Sequence, residues 1–578
     1  MSNPTETIAA ASSALDRVRG NAAAWAALPL ADKRDLLLRL HGRIGPLADE
    51  WVRLSCEAKR IAPGSTLESE EWFTGPYATL MYVRALAQTV GTLAAGGDPL
   101  AAARIRTRRD GRLALRVLPY DFADRVVLNG FGAEMWTPPG VTEAQLRDSV
   151  ARKLRDGEGA DGVALVLSAG NVAATGPIDV LYKLFNDNAA VVCKLSPVNG
   201  YLRPVLEDAF APFIERGFVA FVSGGADVGA AVVADDRTAM VHITGNLATH
   251  DRIVFGDGPE GERRRAQRDP LLRKPITSEL GGVGATVVLP GPWTAADLRY
   301  QAWHVASQKL NNSGFNCTAS QVVVLPGDWD LADAFVAELR AALRAAPQRS
   351  AYYPGARERL DAALAAYPEA EDLGIDGRRL LITQADPDDA SEPLFRDEFF
   401  APAQGVVRLP GRPGEYLRAA VDFCNDTLAG TLGVNLVAHP RTLAALGGGF
   451  DQTLVALRFG TIAVNTWTSL GYITPRVGWG GFPGAEVHDA VSGVGLTHNA
   501  LLVEHVERTI VTGPFRPAPR SLLHGEPALM PLPPWFVDSP AADRTARLLT
   551  RFAARPGPLR LAAVALSASL PRGPRSHR

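Results

Sequence analysis

Cysteine is scarce in this chain: four in 578 residues, at positions 56, 193, 317 and 424, with no Cys-x-x-Cys pair. That spacing argues against zinc ribbons and a disulfide framework, and no metal site is expected. Charge of one sign is also lacking. The net charge is −2, so the overall balance gives no sign of nucleic acid as a partner. No apolar run reaches the ~18–20 residues of a membrane-spanning helix. The start, Met1-Ser2-Asn3-Pro4-Thr5-Glu6-Thr7, has neither the basic nor the apolar part of a secretory signal. These absences predict a cytoplasmic protein.

What is present fits a large soluble enzyme, with 47% apolar and 21% charged residues. The length allows two to four domains. Residues 5–95 read as helices, with Trp25, Leu28, Leu37, Leu38, Leu40 and Ile44 at helical spacing. A strand-like stretch runs from Leu113 to Trp136, and residues 139–160 read as a short helical insertion. From about residue 162, apolar runs such as Val163–Leu167, Ala190–Cys193, Val219–Val222, Met240–Ile243 and Thr286–Leu289 alternate with helical segments. That alternation predicts a parallel sheet covered on both faces, the pattern of a dinucleotide-binding domain. A second series spans about 292–478, with strands at Gln321–Leu325, Gly405–Leu409, Gly433–Val437 and Ile462–Asn465.

Cys317 lies near the junction of the two series, in Asn312-Ser313-Gly314-Phe315-Asn316-Cys317-Thr318-Ala319. It follows Ser278-Glu279-Leu280-Gly281-Gly282 by 38 residues from the Glu to the Cys. A thiol in a small polar turn, paired with a carboxylate from a Gly-Gly turn, suits covalent catalysis at a carbonyl. The thiol attacks, and Glu279 activates the water that releases the product. The side-chain amide of Asn171 and the backbone N–H of Cys317 are candidate donors to the oxyanion, each worth ~10²–10³ in rate. Cys56, Cys193 and Cys424 read as packing residues.

These motifs together resemble the aldehyde dehydrogenase superfamily over about residues 20–512. Glu279-Leu280-Gly281-Gly282 resembles the turn that carries its general base, and Gly314–Ala319 its nucleophile motif. Glu398-Phe399-Phe400-Ala401-Pro402 is similar to the segment that holds the nicotinamide ribose. Leu167-Ser168-Ala169-Gly170-Asn171 ends in an amide where the family has its oxyanion donor, 23 residues before Lys194. Gly478–Phe482 resembles a late Phe-Gly-Gly segment. The resemblance implies an α/β fold with a Rossmann-type cofactor domain, an α/β catalytic domain and a small oligomerisation β element. It implies a homodimer or homotetramer that takes an aldehyde. It also implies oxidation to the acid with NAD or NADP through a Cys317 thiohemiacetal and thioester, with catalytic residues Cys317, Glu279 and Asn171. The cofactor residues it implies are Lys194, Ser196, Gly225, Gly229, Gly245, Asn246, Leu280, Glu398 and Phe400. Where NAD-preferring members often carry Glu, this chain has Pro197, so no acid there opposes a 2′-phosphate and NADP is an expected cofactor. Two alternatives stand beside this reading: an enzyme that passes the thioester to coenzyme A, and a non-catalytic scaffold of the same fold.

The expected organisation is a cofactor domain over 1–291 (except about 112–160), a catalytic domain over 292–478, and oligomerisation strands at 112–138 with 500–512. Residues 513–578 form an extension with ten Arg against three acids, a balance of +7. Its Trp535-Phe536 pair and its apolar positions over 541–568 predict a surface that meets lipid or covers a greasy substrate entrance.

Overall fold

The computed structural model describes residues 4–569 except 160, 161, 376, 377 and 412. The last nine residues, with three arginines of the basic extension, lie outside the described residues, as do the first three and the end of the 139–160 insertion.

The N-terminal helices Pro4–Ala26, Leu30–Ala58 and Ala78–Ala94 form where they were expected. Trp25, Leu37, Leu40 and Ile44 are fully buried. Leu38 is 46% exposed, because the i, i+3, i+4 stripe that faces the core runs through Leu37, Leu40 and Ile44 and leaves it on the far side. These helices pack on a five-stranded, wholly parallel sheet. Its spatial order is Val219–Val222, Val191–Lys194, Val163–Leu167, Thr238–Thr244 and Ile276–Glu279. That is a doubly wound order, with the earliest strand in the middle. Such a sheet binds its ligand outside the carboxyl ends of the strands, at the reversal of strand order.

The second sheet has eleven strands. Its parallel centre comprises Thr461–Val464, Gly433–Val437, Gly284–Val288, Ser320–Pro326 and Ala403–Leu409. Gly284–Val288 therefore belongs here and not to the cofactor sheet, so the expected boundary at 291 moves back to the Gly281–Val283 turn. The cause is direct. The Gly-Gly turn after Glu279 leads the chain out of one sheet and into the other, which a hydropathy pattern cannot register.

A second correction concerns the expected oligomerisation strands. The strand at the chain's C-terminal side is Arg508–Thr512, shorter than the alternation over 503–511 suggested, because Leu502 and His505 have left-handed backbones. It runs parallel to Thr461–Val464 and antiparallel to Gly132–Trp136, with Leu113–Leu118 and Arg104–Thr107 beyond. Both its edges are hydrogen-bonded within its own chain. The expected separate element continues the catalytic sheet within the chain.

The extension packs on the body with much of its apolar surface, while Leu522, Leu523, Leu529, Leu559 and Leu566 stay exposed. Phe536 stacks on His304 and Tyr300, with centroids 5.2 Å away in each case. Trp535 meets Phe131 edge-on at 5.5 Å. The helix Ala542–Ala554 buries Leu549, Phe552 and Ala553, and it packs on Glu68–Trp72 and Leu30–Ala58. Two of its arginines are met internally as well. Arg516 forks onto Asp297 at 2.8 Å through two nitrogens and reaches Glu526 at 3.0 Å. Arg520 joins the same Asp297. No helix among the described residues is long and apolar enough to cross a membrane.

Candidate active site

The nucleophile loop is shaped by what precedes it. The helix Ala295–Leu310 opens on a capping box between Thr294 and Asp297 and ends in a tight turn over Asn311–Gly314. Asn312 and Ser313 both take left-handed conformations, φ 52° and 56°, which cost non-glycine residues stability and persist only where neighbours impose them. Here the neighbours are explicit. Glu70 accepts from the Asn312 backbone N–H at 3.0 Å, and the Asn312 amide donates to the carbonyls of Asn171 and Phe315 at 3.0 and 2.9 Å. Gly314 follows at φ 77°, where a Cβ would stand 2.6 Å from the Ala401 carbonyl. This packing delivers Cys317 to the gap between the two sheets, just ahead of the strand Ser320–Pro326.

Two cavities meet at that gap. One, of about 60 Å³, is walled by Phe73, Thr175, Leu470, Tyr472, Trp479 and Trp535. The other, of about 1190 Å³, lies along the carboxyl ends of the parallel strands. Only Asn171, Thr244, Glu279 and Cys317 line both. The three residues singled out as catalytic thus stand together at the junction. Thr244 was missed; it carried no signal beyond preceding Gly245. Its hydroxyl donates to the buried Asp179 at 2.8 Å.

The electrostatics of the junction are set by desolvation. Burial pushes the Glu279 carboxyl up to about 7, and one of its oxygens is buried without a hydrogen-bond partner. Burial also raises the Cys317 thiol well above its ordinary value, and the adjacent Glu279 raises it further. The resting thiol is therefore protonated; it donates to Asn316 Oδ1 at 4.0 Å, and the Glu279 carboxyl that acts on it has an affinity for protons poised near neutrality. The Asn171 amide donates to the Phe315 carbonyl at 3.1 Å. Its backbone carbonyl takes the Lys59 ammonium at 2.9 Å. That lysine is itself paired with Glu71 at 2.9 Å. The amide is fixed on both sides and retains one N–H for a ligand.

The larger cavity collects the predicted cofactor residues. Lys194, Ser196, Gly225, Gly229, Gly245, Asn246, Glu398 and Phe400 all line it. Leu280 does not. Its side chain is buried behind the Glu279–Gly281 turn, because successive residues of an extended segment point to opposite sides. Gly225 ends at the start of the helix Ala226–Ala234, whose N-terminus favours negative charge. The Asn246 side chain is occupied in capping its own helix, accepting from Thr249 at 2.8 Å. Burial raises Glu398 to about 8 and lowers Lys309 behind it to about 7. At Gly281, with φ 71°, a Cβ would stand 2.7 Å from the Glu398 carboxylate, so glycine is what lets Glu279 and Glu398 share the cavity. Asp227 also lines the cavity, and its charge acts on Lys194. Sequence reading passed it over in the Gly225–Gly229 turn. The crevice, its glycine-lined floor and the helix N-terminus fit a dinucleotide.

Comparison with known proteins agrees with this geometry. Residues 173–355 match the aldehyde dehydrogenase family. No curated protein matches the chain. Among solved structures, the NAD-dependent aldehyde dehydrogenase of Sinorhizobium meliloti aligns over 89% of this chain and 88% of its own, with TM-score 0.58 and 17% identity. The NADP-dependent glyceraldehyde-3-phosphate dehydrogenase of Bacillus halodurans, solved with NADP, aligns over 87% and 91%, with TM-score 0.58 and 16% identity. The Mycobacterium tuberculosis aldehyde dehydrogenase, solved with NAD+, aligns over 88% and 90%, with TM-score 0.57 and 16% identity. The chain thus shares the fold of solved aldehyde dehydrogenases over most of its length, and residues 173–355, which carry Glu279 and the nucleophile loop, match that family.

Proposed function

We propose that the protein oxidises an aldehyde to its carboxylic acid with NAD or NADP, through a thioester on Cys317. One observation carries this reading: Cys317, Glu279, Asn171 and Thr244 are the residues common to the small enclosed cavity and the long crevice. An aldehyde in the first therefore meets the thiol where the second ends. Glu279 takes the thiol proton as sulfur adds to the carbonyl carbon. The free N–H of Asn171 and the Cys317 backbone N–H receive the oxyanion. The bound nicotinamide supplies the hydride acceptor, with Lys194 and Glu398 holding its ribose ends. Once it has passed that proton to solvent, Glu279 deprotonates the water that hydrolyses the thioester, and the thiolate released from the acid takes a proton back. The test mixes protein, aldehyde and NAD or NADP and follows reduced nicotinamide, with and without coenzyme A. Turnover without coenzyme A supports hydrolysis; turnover only with it transfers the thioester to the thiol instead.

Glu279 sets the pH dependence. As a base it works ionised, and its pKa of about 7 means that the active form grows as pH rises through neutrality. Steady-state rate is expected to climb through about pH 7 and level off above it. Glu279→Gln is expected to give one burst of reduced nicotinamide and then stall, and to remove that rise. Unchanged steady turnover would make Glu279 structural.

Cofactor choice turns on Asp227. Pro197 leaves no acid at the position that often carries one, yet Asp227 brings a carboxylate beside Lys194. A carboxylate there favours ribose hydroxyls over a 2′-phosphate. Asp227→Asn is expected to raise kcat/KM for NADP relative to NAD by about tenfold, the effect of ~1.4 kcal/mol of relieved like-charge repulsion. An unaltered ratio would remove Asp227 from cofactor discrimination.

A further inference from the structure

A second apolar chamber, of about 280 Å³, lies behind the small cavity that holds Cys317. Phe73, Leu470, Ile473 and Trp535 line both. Its far wall belongs to the C-terminal extension: Leu549 from the helix Ala542–Ala554, and Leu561, Val564, Ala565 and Ala568 from the helix Pro558–Ser569. Those four positions follow helical spacing, so one face of that last helix is given to the chamber. The charged groups on the wall are already engaged. Asp124 accepts from the Tyr120 backbone N–H at 2.9 Å, and Arg476 lies 3.7 Å over the Tyr120 ring. What remains to greet a ligand is hydrocarbon.

We propose that the extension builds a binding chamber for the hydrocarbon body of the substrate, with Trp535 as the partition between chamber and nucleophile, so that the preferred substrates are medium- to long-chain aliphatic aldehydes. This rests on the aldehyde-oxidising reading above. Volume argues for it. One water-sized probe needs about 10–15 Å³, so the 60 Å³ cavity holds only the aldehyde and its first few carbons. A longer chain has to leave it, and the chamber lies across the wall that the two share. The partition is built to move. Trp535 is half-buried, and its indole N–H is buried without a partner. Swinging the ring therefore breaks no hydrogen bond, and its aromatic contact with Phe131 is edge-on. The far wall comes from the extension, which gives the extension a role in specificity.

The test uses the full chain and linear aldehydes from propanal to dodecanal. Each methylene placed in the chamber is expected to raise kcat/KM about fourfold (about 0.8 kcal/mol), until the chamber is full. Ala565→Trp, and Leu561→Trp as a second variant, narrow the chamber. Both are expected to lower the decanal-to-propanal ratio of kcat/KM by at least about tenfold. The ratio is taken within each variant, so partial loss of folded protein cancels. A flat chain-length profile in the parent protein, or a ratio untouched by both variants, overturns the proposal. If the parent protein oxidises no aldehyde, calorimetric titration with decan-1-ol separates the two readings. Binding that Ala565→Trp weakens upholds the chamber while the oxidation reading fails; no binding overturns both.

Discussion

Cys317→Ala is expected to cut aldehyde oxidation by at least a thousandfold while leaving cofactor affinity within about twofold, the signature of a lost nucleophile. The asymmetry follows from placement. Cys317 sits at the point where the two cavities meet, whereas Lys194, Gly225 and Gly245 line the crevice from the cofactor sheet. Removing one sulfur alters no strand end and no helix terminus there. Steady-state rates and calorimetric titration of NAD and NADP check both halves. Activity above about one per cent of the parent protein would reject covalent catalysis at this residue. The ordinary alternative, a buried packing cysteine, predicts altered stability and unaltered chemistry. Cys56, Cys193 and Cys424, all buried, serve as controls for it.

Removing residues 513–578 is expected to cost the protein its soluble folded state. The extension buries Phe536, Leu549 and Phe552. Its residues also brace the helix that ends at the nucleophile loop. Gln301 donates to the Phe515 carbonyl at 2.6 Å, Ser307 accepts from the Val537 N–H at 3.1 Å, and Phe536 lies on Tyr300 and His304. Those contacts fall on one face of Ala295–Leu310. The single change that isolates this effect is Arg516→Ala. It removes the buried partner of Asp297, whose side chain is fully buried; Arg520 and the Thr294 cap remain, so the loss is expected to be about 3 kcal/mol, the low end for breaking a buried pair from one side. Arg520→Ala, at the more exposed partner of the same carboxylate, is expected to cost about 1 kcal/mol or less. Urea unfolding of the three proteins reads the order directly. Equal losses for the two arginines would show that Arg516 is not the anchor. Asp297 also gives a pH signature. Its pKa is held down at about 2, below the unfolded value of about 3.9. Its contribution is therefore complete above about pH 4 and disappears as pH falls toward 2; the Arg516→Ala protein is expected to lack that acid-sensitive part. Vesicle co-sedimentation at low salt is expected to leave the full-length protein in the supernatant, because Arg516, Arg520, Trp535 and Phe536 are already engaged with the body.

Motif order in the chain was enough to single out Cys317 and Glu279, which the fold brings to one junction, and strand alternation was enough for the parallel sheet. Both are local signals. A strand buried on two faces must be apolar along its whole length, and a nucleophile turn must be small and polar, so each is legible within ten residues. Asp227 and Thr244 were not legible. Each looks ordinary in its own turn and acquires meaning only because parallel strands bring their carboxyl ends to one edge. Leu280 differs in the opposite way: it lies inside a strong motif, yet its side chain is buried outside the crevice.

The extension shows most plainly where local reading stops. Its composition, basic and apolar together, is the same whether the residues face lipid or face the protein. The outcome depended on partners hundreds of residues away: Asp297 for Arg516, His304 for Phe536, Phe131 for Trp535. The same holds for Arg508–Thr512, whose alternation predicted a strand without saying which edges it would fill. Sequence by itself determined the elements and the reactive groups, because propensity, burial pattern and motif chemistry are set by near neighbours. Only the tertiary structure decided the domain boundary, the pairing of that strand within its own chain and the inward packing of the extension. Those depend on which distant surfaces match in shape and charge, and that information exists only once the chain has closed on itself.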